Sequence, residues 1–315
     1  MIGRALAGAA GLAALALALT GCGAAASTSA DRPQIVVTTN ILGDVVGEIT
    51  GTQAQVTTLM KRGADPHSFE ISAQEAALMD AAALVVSNGL GLEEGMQQHL
   101  DRAVERGVAS FVAGDHIDVL DYTSEDAGGA ADPHFWTDPG RMIDVVDALE
   151  REIAGIDGVD AAAITANADA YRAQLRDVDA EMTATFAAIP RAHRALVTNH
   201  HVFGYLADRF DFRLVGAVIP GGTTLAAPSA ADLRTLTTAI EDAGVPTIFA
   251  ESSQPDRLVQ VLAAEAGVDV DVVELFTESL TAPGDGADTY LAMMRENTLR
   301  IGQGLGSQPT HERAP

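Results

Sequence analysis

With 315 residues, 47% of them apolar, the chain has enough material for two domains with a core each and is not a disordered polymer. Its 44 acidic residues against 19 basic ones give a formal net charge of −25, which argues strongly against a nucleic-acid partner. The single cysteine, Cys22, excludes an internal disulfide.

At the start of the chain, Arg4 precedes an uncharged apolar run from Ala5 to Leu19. A basic start followed by a short apolar stretch reads as a secretory signal rather than a spanning helix. The segment Leu19-Thr20-Gly21-Cys22 resembles a bacterial lipobox, which implies cleavage before Cys22 and lipidation of that cysteine. The residues that follow are small and polar and suit a flexible tether. No later stretch is long and apolar enough to span a membrane.

Gln34 to Thr39 is a β-branched run and reads as a first buried strand. Ile41 to Ile49 carries apolar residues at helical spacing and ends before Gly51, and Ala54 to Met60 returns to a strand pattern. Ser72 with Glu75 has the spacing of a capping box for a helix through Met79. Ala83 to Ser87 is a strand closed by the Asn88-Gly89 turn, Glu93 to Arg106 a helix, and Ala109 to Val112 a strand. Tyr122 to Ala131 is acidic and glycine-rich, hence a loop. Asp138 and Pro139 then supply an N-cap and first-turn proline for a helix from Gly140 to about Ala154.

Between about Asp160 and Ala188, the residues Ile164, Ala168, Tyr171, Leu175, Val178, Met182 and Phe186 recur at steps of three or four. A helix of that length spans roughly 40 Å, enough for a strut crossing both halves of the protein. A two-stranded coiled coil is the competing reading, but the pattern stops at Pro190. Strands then recur at Ala195 to Thr198, Leu214 to Val218, Thr247 to Ala250 and Val270 to Glu274. Helices recur at Val202 to Phe210, Ser229 to Ala243, Asp256 to Ala266 and Thr289 to Ile301, with Gly304 onward as a frayed tail. This alternation predicts an α/β fold with mostly parallel sheets covered by helices.

The tripeptide Asp-Pro-His occurs twice, at 65–67 and at 132–134, and the second copy opens a stretch that holds the only tryptophan, Trp136. Proline fixes its own φ and pushes the preceding residue into an extended conformation, so each tripeptide is a stiff corner with an imidazole just past it. Either alone is readily an ordinary turn with a hydrogen-bonded histidine. Two in one chain can deliver two imidazoles, common transition-metal ligands, to one point. Of eight histidines, His67, His134, His200 and His201 follow strand ends or corners, where ligands bind in α/β sheets. His99, His116, His193 and His311 lie on helices, edges or the tail.

A set of segments stands in one order along the chain: Gly63 to Glu70, Asn88-Gly89-Leu90, Asp132 to Pro139, His200 to Tyr205, Phe249 to Ser253, and Asp288-Thr289-Tyr290 with Met293, Met294 and Asn297. In them the chain resembles the substrate-binding lipoproteins of bacterial ABC importers for zinc and manganese, the cluster A-I or cluster 9 family. The resemblance covers nearly all of the chain after the signal. It implies two pseudo-symmetric Rossmann-like lobes joined by a long backbone helix, with one metal held between the lobes by four side chains. It places ligands at His67, His134 and His200, and His201 falls where many relatives have aspartate. The fourth ligand is usually an aspartate in an Asp-Ser-Leu-like segment. Here that position is Glu278 of Glu278-Ser279-Leu280, with Asp285 or Asp288 as substitutes. Glu251 then reads as a hydrogen-bond or ion-pair partner inside the second lobe rather than a general base. Asp138 reads as a helix cap, with support of a histidine as the other option.

The organisation expected is a signal peptide at 1–21, a tether at 22–32, an N-terminal lobe at 33–158, the linking helix at 159–189, a C-terminal lobe at 190–305 and a tail at 306–315. Three imidazoles and one carboxylate suit Zn²⁺, while Mn²⁺ binds such sites more weakly and prefers carboxylate-rich ones. The function expected is that of a non-enzymatic monomer, lipid-anchored on the outer face of the cytoplasmic membrane, that hands Zn²⁺ to an ABC permease. Alternatives are a manganese carrier, a secreted zinc hydrolase, though no His-Glu-x-x-His motif occurs, and a surface adhesin. Many zinc relatives carry a histidine-rich loop before the second Asp-Pro-His. The corresponding loop here has no histidine, only Glu125 and Asp126 after Asp121, and reads as a solvated acidic loop. Imidazole ligands imply an affinity that falls as pH drops through roughly 6 to 7.

Overall fold

The computed structural model describes residues 32–123, 127–253, 257–265 and 271–306. The expected signal peptide, Cys22 and all but the last residue of the tether lie outside the described residues. So do Glu125 and Asp126 of the acidic loop, His311, and all but the first residue of the tail. Among the described residues no helix is long and apolar enough to cross a membrane.

The first half of the chain runs β1 (Gln34–Val37), α1 (Asn40–Thr50), β2 (Gln55–Thr58), α2 (Ala73–Asp80), β3 (Leu84–Ser87), α3 (Gln97–Glu105), β4 (Ser110–Val112) and α4 (Pro139–Ala154). The long helix α5 (Ala161–Ala187) follows. The second half runs β5 (Ala195–Thr198), α6 (Gly204–Phe210), β6 (Arg213–Ala217), α7 (Ala230–Ala243), β7 (Thr247–Glu251), α8 (Arg257–Glu265), β8 (Asp271–Leu275) and α9 (Tyr290–Gly306). The strands form two four-stranded sheets, ordered β2-β1-β3-β4 and β6-β5-β7-β8, with every pairing parallel. The second order is the first shifted by four, so the two lobes share one winding plan. Each places a topological switch at the carboxyl ends of its two central strands, β1 and β3 or β5 and β7.

The β-branched run of β1 is buried on both faces because helices cover both sides of its sheet. Ile35 and Val37 join Leu84, Val86 and the helix α5 in the main core, while Val36 and Val85 face a separate, smaller one with Met79 and Met96. The second sheet divides its side chains the same way. Leu196 and Phe249 enter the main core, and Val197, Ile248 and Ala250 enter a second small core with Ile240 and Leu262. One shared core thus reaches from sheet to sheet, with α5 running through it.

Helix α5 begins at Asp160, whose carboxylate accepts from Ala162 and Ala163 N–H, and buries the apolar stripe from Ile164 to Phe186. The stripe packs against α1, α4 and α9 of the same chain, so it is consumed internally rather than in a coiled coil. Its 27 residues make a strut of about 40 Å. The other expected caps form as well. Ser72 and Glu75 complete a capping box, and Asp138 accepts from Gly140 N–H at 2.7 Å; Ser229 and Asp232 complete a second box that the sequence reading does not single out.

Most boundaries shift by a residue or two, and three of the differences from the sequence reading have a visible cause. Helix α3 starts at Gln97, after a 3₁₀ turn over Glu94–Met96. The carboxylate of Glu93 is turned back onto Asn88 N–H, Gly89 N–H and the Thr38 hydroxyl. Helix α6 starts at Gly204 rather than Val202, because Val202 N–H bonds to the His200 carbonyl in the loop before it. Helix α9 does not fray at Gly304 but continues to Gly306. There the Gly304 carbonyl accepts from the Thr247 hydroxyl at 2.7 Å and Leu305 is fully buried, so tertiary contact overrides the low helix propensity of glycine.

If α5 is the strut of the shared core, truncating its stripe is costly. Leu175→Ala, at a fully buried site, lowers unfolding free energy by about 2–5 kcal/mol. Arg176→Ala, one residue on and exposed, stays within about 0.5 kcal/mol. Urea denaturation of the two variants checks the contrast.

Candidate metal centre

The two Asp-Pro-His corners are the same device. In each, the aspartate folds back so that its Oδ1 accepts the backbone N–H of the histidine two residues on, at 2.9 Å in both. The proline between has no N–H to compete. The first corner is tightened by Ser68 Oγ on Asp65 Oδ2 and by Phe69 N–H on the Asp65 carbonyl. The second is held by Asn88, whose amide donates to the Pro133 carbonyl at 3.0 Å, and by Tyr205, whose hydroxyl donates to the Asp132 carbonyl at 2.9 Å.

These corners bring His67 Nε2 and His134 Nε2 to 3.3 Å from one another. From the second lobe, His200 follows the end of β5 and sets its Nε2 3.3 Å from His134 Nε2. Glu278 follows β8 and faces all three rings. Its Oε2 is 3.3 Å from His67 Nε2, and its Oε1 is 3.3 Å from His134 Nε2 and 3.5 Å from His200 Nε2. All four side chains are buried, and one ligand atom from each lies within 4.8 Å of every other. It is the one such cluster among the described residues. A tetrahedral ion with bonds of about 2.0 Å needs ligand edges of about 3.3 Å, so the void among these atoms has the size of a first-row cation. Neither Glu278 oxygen has a hydrogen-bond partner, which leaves a buried carboxylate pointing into that void.

Outside the four, two carboxylates set which nitrogen of His134 and of His200 faces inward. His134 Nδ1 lies 2.7 Å from Asp132 Oδ1, and His200 Nδ1 lies 2.9 Å from Glu251 Oε2. A carboxylate accepts, so Nδ1 carries the proton in both rings and each Nε2 lone pair faces the centre. Sequence reasoning gave Glu251 a role inside the second lobe but did not connect it to His200. It gave Asp132 no role beyond the corner, though an aspartate two residues before a histidine is a visible signal. Tyr122, whose hydroxyl lies 3.2 Å from His134 Nδ1 and donates to the Gly222 carbonyl at 2.8 Å, left no signal in the sequence.

The segment that carries Glu278 is clamped largely by the first lobe. Asn40 donates to Ser279 Oγ at 2.7 Å and accepts from Leu280 N–H at 2.9 Å. Gly63 N–H reaches Ser279 Oγ at 2.8 Å, and Arg62 donates to the carbonyls of Thr281 and Asp288. Trp136 packs edge-on against the His134 ring at 5.2 Å, and its indole N–H donates to the Thr277 carbonyl at 2.8 Å. The two substitutes for Glu278 are placed elsewhere. Asp288 Oδ2 accepts from Gly284 N–H in a turn, and Asp285 is exposed in the same turn. His201 turns away from the four and lines a cavity with Tyr122 and Asp208. His99, His116 and His193 lie outside the cluster, His116 stacked on Phe111.

Burial opposes charge on Glu278, His134 and His200, yet mutual attraction prevails over it. Glu278 is held well below the usual carboxylate range by His200 and His134. His134 is raised by Glu278 and Asp132, and His200 is raised well above the usual imidazole range by Glu251 and Glu278.

Two parallel lobes of one design, with three imidazoles and a carboxylate converging between them, define a bilobed substrate-binding protein for metal ions. Residues 35–304 match the family model described as ZnuA, zinc-uptake complex component A, periplasmic, and the chain belongs to that family. It is 30% identical over 294 residues to the manganese-binding lipoprotein MntA of Bacillus subtilis (strain 168), covering 91% of this chain and 95% of that protein. It is 25% identical over 299 residues to the manganese ABC transporter substrate-binding lipoprotein PsaA of Streptococcus pneumoniae, covering 93% of this chain and 96% of that protein. Among solved structures, the periplasmic zinc binding protein TroA from Treponema pallidum superposes with a TM-score of 0.81 at 28% identity, over 87% of this chain and 99% of that one. The Mn-bound periplasmic metal binding protein from Candidatus Liberibacter asiaticus, at 22% identity and a TM-score of 0.78, shares the fold over 87% of this chain and all of its own.

The clamp generates a test. Asn40→Ala strands the buried Leu280 N–H and leaves Ser279 Oγ with only the Gly63 N–H, so the metal-free chain loses about 1–3 kcal/mol of stability. An unchanged urea midpoint would mean that other contacts hold the segment.

Proposed function

We infer that this chain is the substrate-binding component of an ABC importer whose cargo is Zn²⁺, with His67, His134, His200 and Glu278 as the four ligands. The observation that carries this is the void at the lobe interface. Three inward-facing imidazole nitrogens and a carboxylate without hydrogen bonds surround it, with the 3.3 Å edges that a four-coordinate zinc ion requires. A buried carboxylate in that position costs several kcal/mol unless something positive answers it. The ion is cargo, held by groups that a change of lobe or loop position can separate.

The family assigns the chain to uptake outside the cytoplasm, and its named relatives are lipoproteins. Lipidation at Cys22 would tether a monomer to the outer face of the cytoplasmic membrane, beside the permease that receives the ion. The chain is read as a carrier and not as an enzyme. Four protein ligands fill a tetrahedral zinc sphere and leave no position for the water that a zinc hydrolase activates.

Manganese is the second reading, and one feature favours it. Both Glu278 oxygens face imidazoles, so a bidentate carboxylate offers five donor atoms rather than four. The relatives named for manganese fit that option. The nitrogen majority of the donor set favours zinc.

Competitive loading tests the assignment. Residues 23–315, stripped with chelator and dialysed against equal zinc and manganese, should retain one zinc per chain by elemental mass spectrometry. His200→Ala and Glu278→Ala should weaken or lose it. Manganese uptake would overturn the choice of metal, and no stoichiometric metal would overturn the reading of the site.

Protons and the ion compete for the same groups, which sets a pH dependence. His134 and His200 have raised pKa values and Glu278 a lowered one, so protonation of the imidazoles opposes metal binding. Affinity therefore falls as pH falls, by about one log unit per pH unit, and the fall begins above the free-imidazole value of about 6.5. Zinc titration at several pH values reads the slope directly. A flat profile from pH 5 to 8 would exclude these ligands.

A further inference from the structure

Glu251 ends β7 and is 3% exposed, with no direct contact to the void itself. Its two carboxylate oxygens serve one ligand and the neighbour of another. Oε2 takes the Nδ1–H of His200 at 2.9 Å, and Oε1 takes the hydroxyl of Thr277, next to Glu278, at 2.8 Å. Asn199 and Ser253 donate to the same carboxylate at 3.3 Å. One side chain on a central strand thus ties the histidine after β5 to the carboxylate-bearing segment after β8. Asp132 also backs a histidine, but it is bound into its own corner and holds only His134.

We propose that Glu251 is the residue that sets metal preference at this site, a positioning residue that favours zinc over manganese. This rests on the reading of the four-residue cluster as the cargo site. Two physical effects combine. A full negative charge on the Nδ1–H side pushes electron density onto His200 Nε2, which makes it a stronger nitrogen donor. Zinc gains more from that than manganese, which stands at the weak end of the Irving–Williams order and depends on oxygen ligands. The second effect is geometric. Because one carboxylate holds both His200 and Thr277, the 3.5 Å gap between His200 Nε2 and Glu278 Oε1 is fixed from behind. A void with locked edges suits a four-coordinate ion and resists the wider, higher-coordinate shell of manganese.

The test uses the full chain in detergent, stripped of metal and titrated in buffered free zinc and buffered free manganese. Glu251→Gln keeps the shape and an acceptor for His200 but removes the charge. It should weaken zinc by about 10- to 100-fold and manganese by clearly less, so the zinc-to-manganese ratio of affinities drops by about tenfold. Glu251→Asp keeps the charge one methylene further away and should restore part of the ratio. Thr277→Val cuts only the second contact and separates the two effects: a ratio lowered by less than in Glu251→Gln supports both. Equal losses for the two metals in Glu251→Gln, or Glu251→Asp no better than Glu251→Gln, would reduce Glu251 to a structural hydrogen-bond partner and overturn the proposal. The urea midpoint of each metal-free variant tells folding apart from binding. If Glu251→Gln does not fold, the ratio in Glu251→Asp decides: a wild-type ratio overturns the proposal and a lowered one supports it. A wild-type chain that binds neither metal would instead overturn the cargo-site reading itself.

Discussion

The carboxylate of Glu278 lies deep in the interface between the lobes, 1% exposed, with imidazole nitrogens on three sides and no hydrogen-bond donor committed to either oxygen. Isolated burial of such a charge is among the more expensive arrangements a protein can adopt, and removal of its partners leaves that cost unanswered. Most of the local architecture follows from supplying those partners at fixed distance. The Asp-Pro-His corners aim two rings. The Asp132 and Glu251 carboxylates fix which nitrogen of His134 and of His200 points inward. Asn40, Gly63 and Trp136 hold the segment that brings the charge.

The two lobes share a strand order but not a method. The first presents His67 and His134 from proline corners that are rigid through their own local hydrogen bonds. The second presents His200 and Glu278 from the ends of parallel strands, at the switch point where such sheets gather ligands. The Glu278 segment belongs to the second lobe by chain order, yet Asn40, Gly63 and Arg62 of the first lobe hold it. A separation of the lobes therefore cannot leave the four donors in place. It must either break that clamp or pull Glu278 away from His200.

Much of the fold was legible because its signals are local and periodic. The stripe from Ile164 to Phe186, the capping pair Ser72/Glu75 and the β-branched strands each answer to a rule within one element. The convergence of His67 and His134 was legible from a repeated tripeptide, His200 was marked with His201 by its place after a strand end, and the choice of His200 and Glu278 came only through resemblance to a family. What stayed hidden depends on partners far apart in sequence. Nothing near Glu251 says that His200 and Thr277 will meet at its two oxygens, and nothing near Tyr122 says that its hydroxyl will reach His134 and Gly222. The boundaries failed for the same reason. The Gly304 end of α9 is ordered by Thr247 from β7, and the start of α3 is delayed by a carboxylate that closes an earlier turn.

Trp136 stands where both halves of the site meet. Its ring lies edge-on to His134 at 5.2 Å, its N–H is bound to the carbonyl just before Glu278, and its own carbonyl takes the Tyr290 hydroxyl at 2.6 Å. It is the chain's only indole. Any light emitted from tryptophan therefore comes from one address, and an ion held among the imidazoles would change the polarity and charge around it. Such an ion would be reported by the protein's own emission, free of background from any second tryptophan and in need of no label.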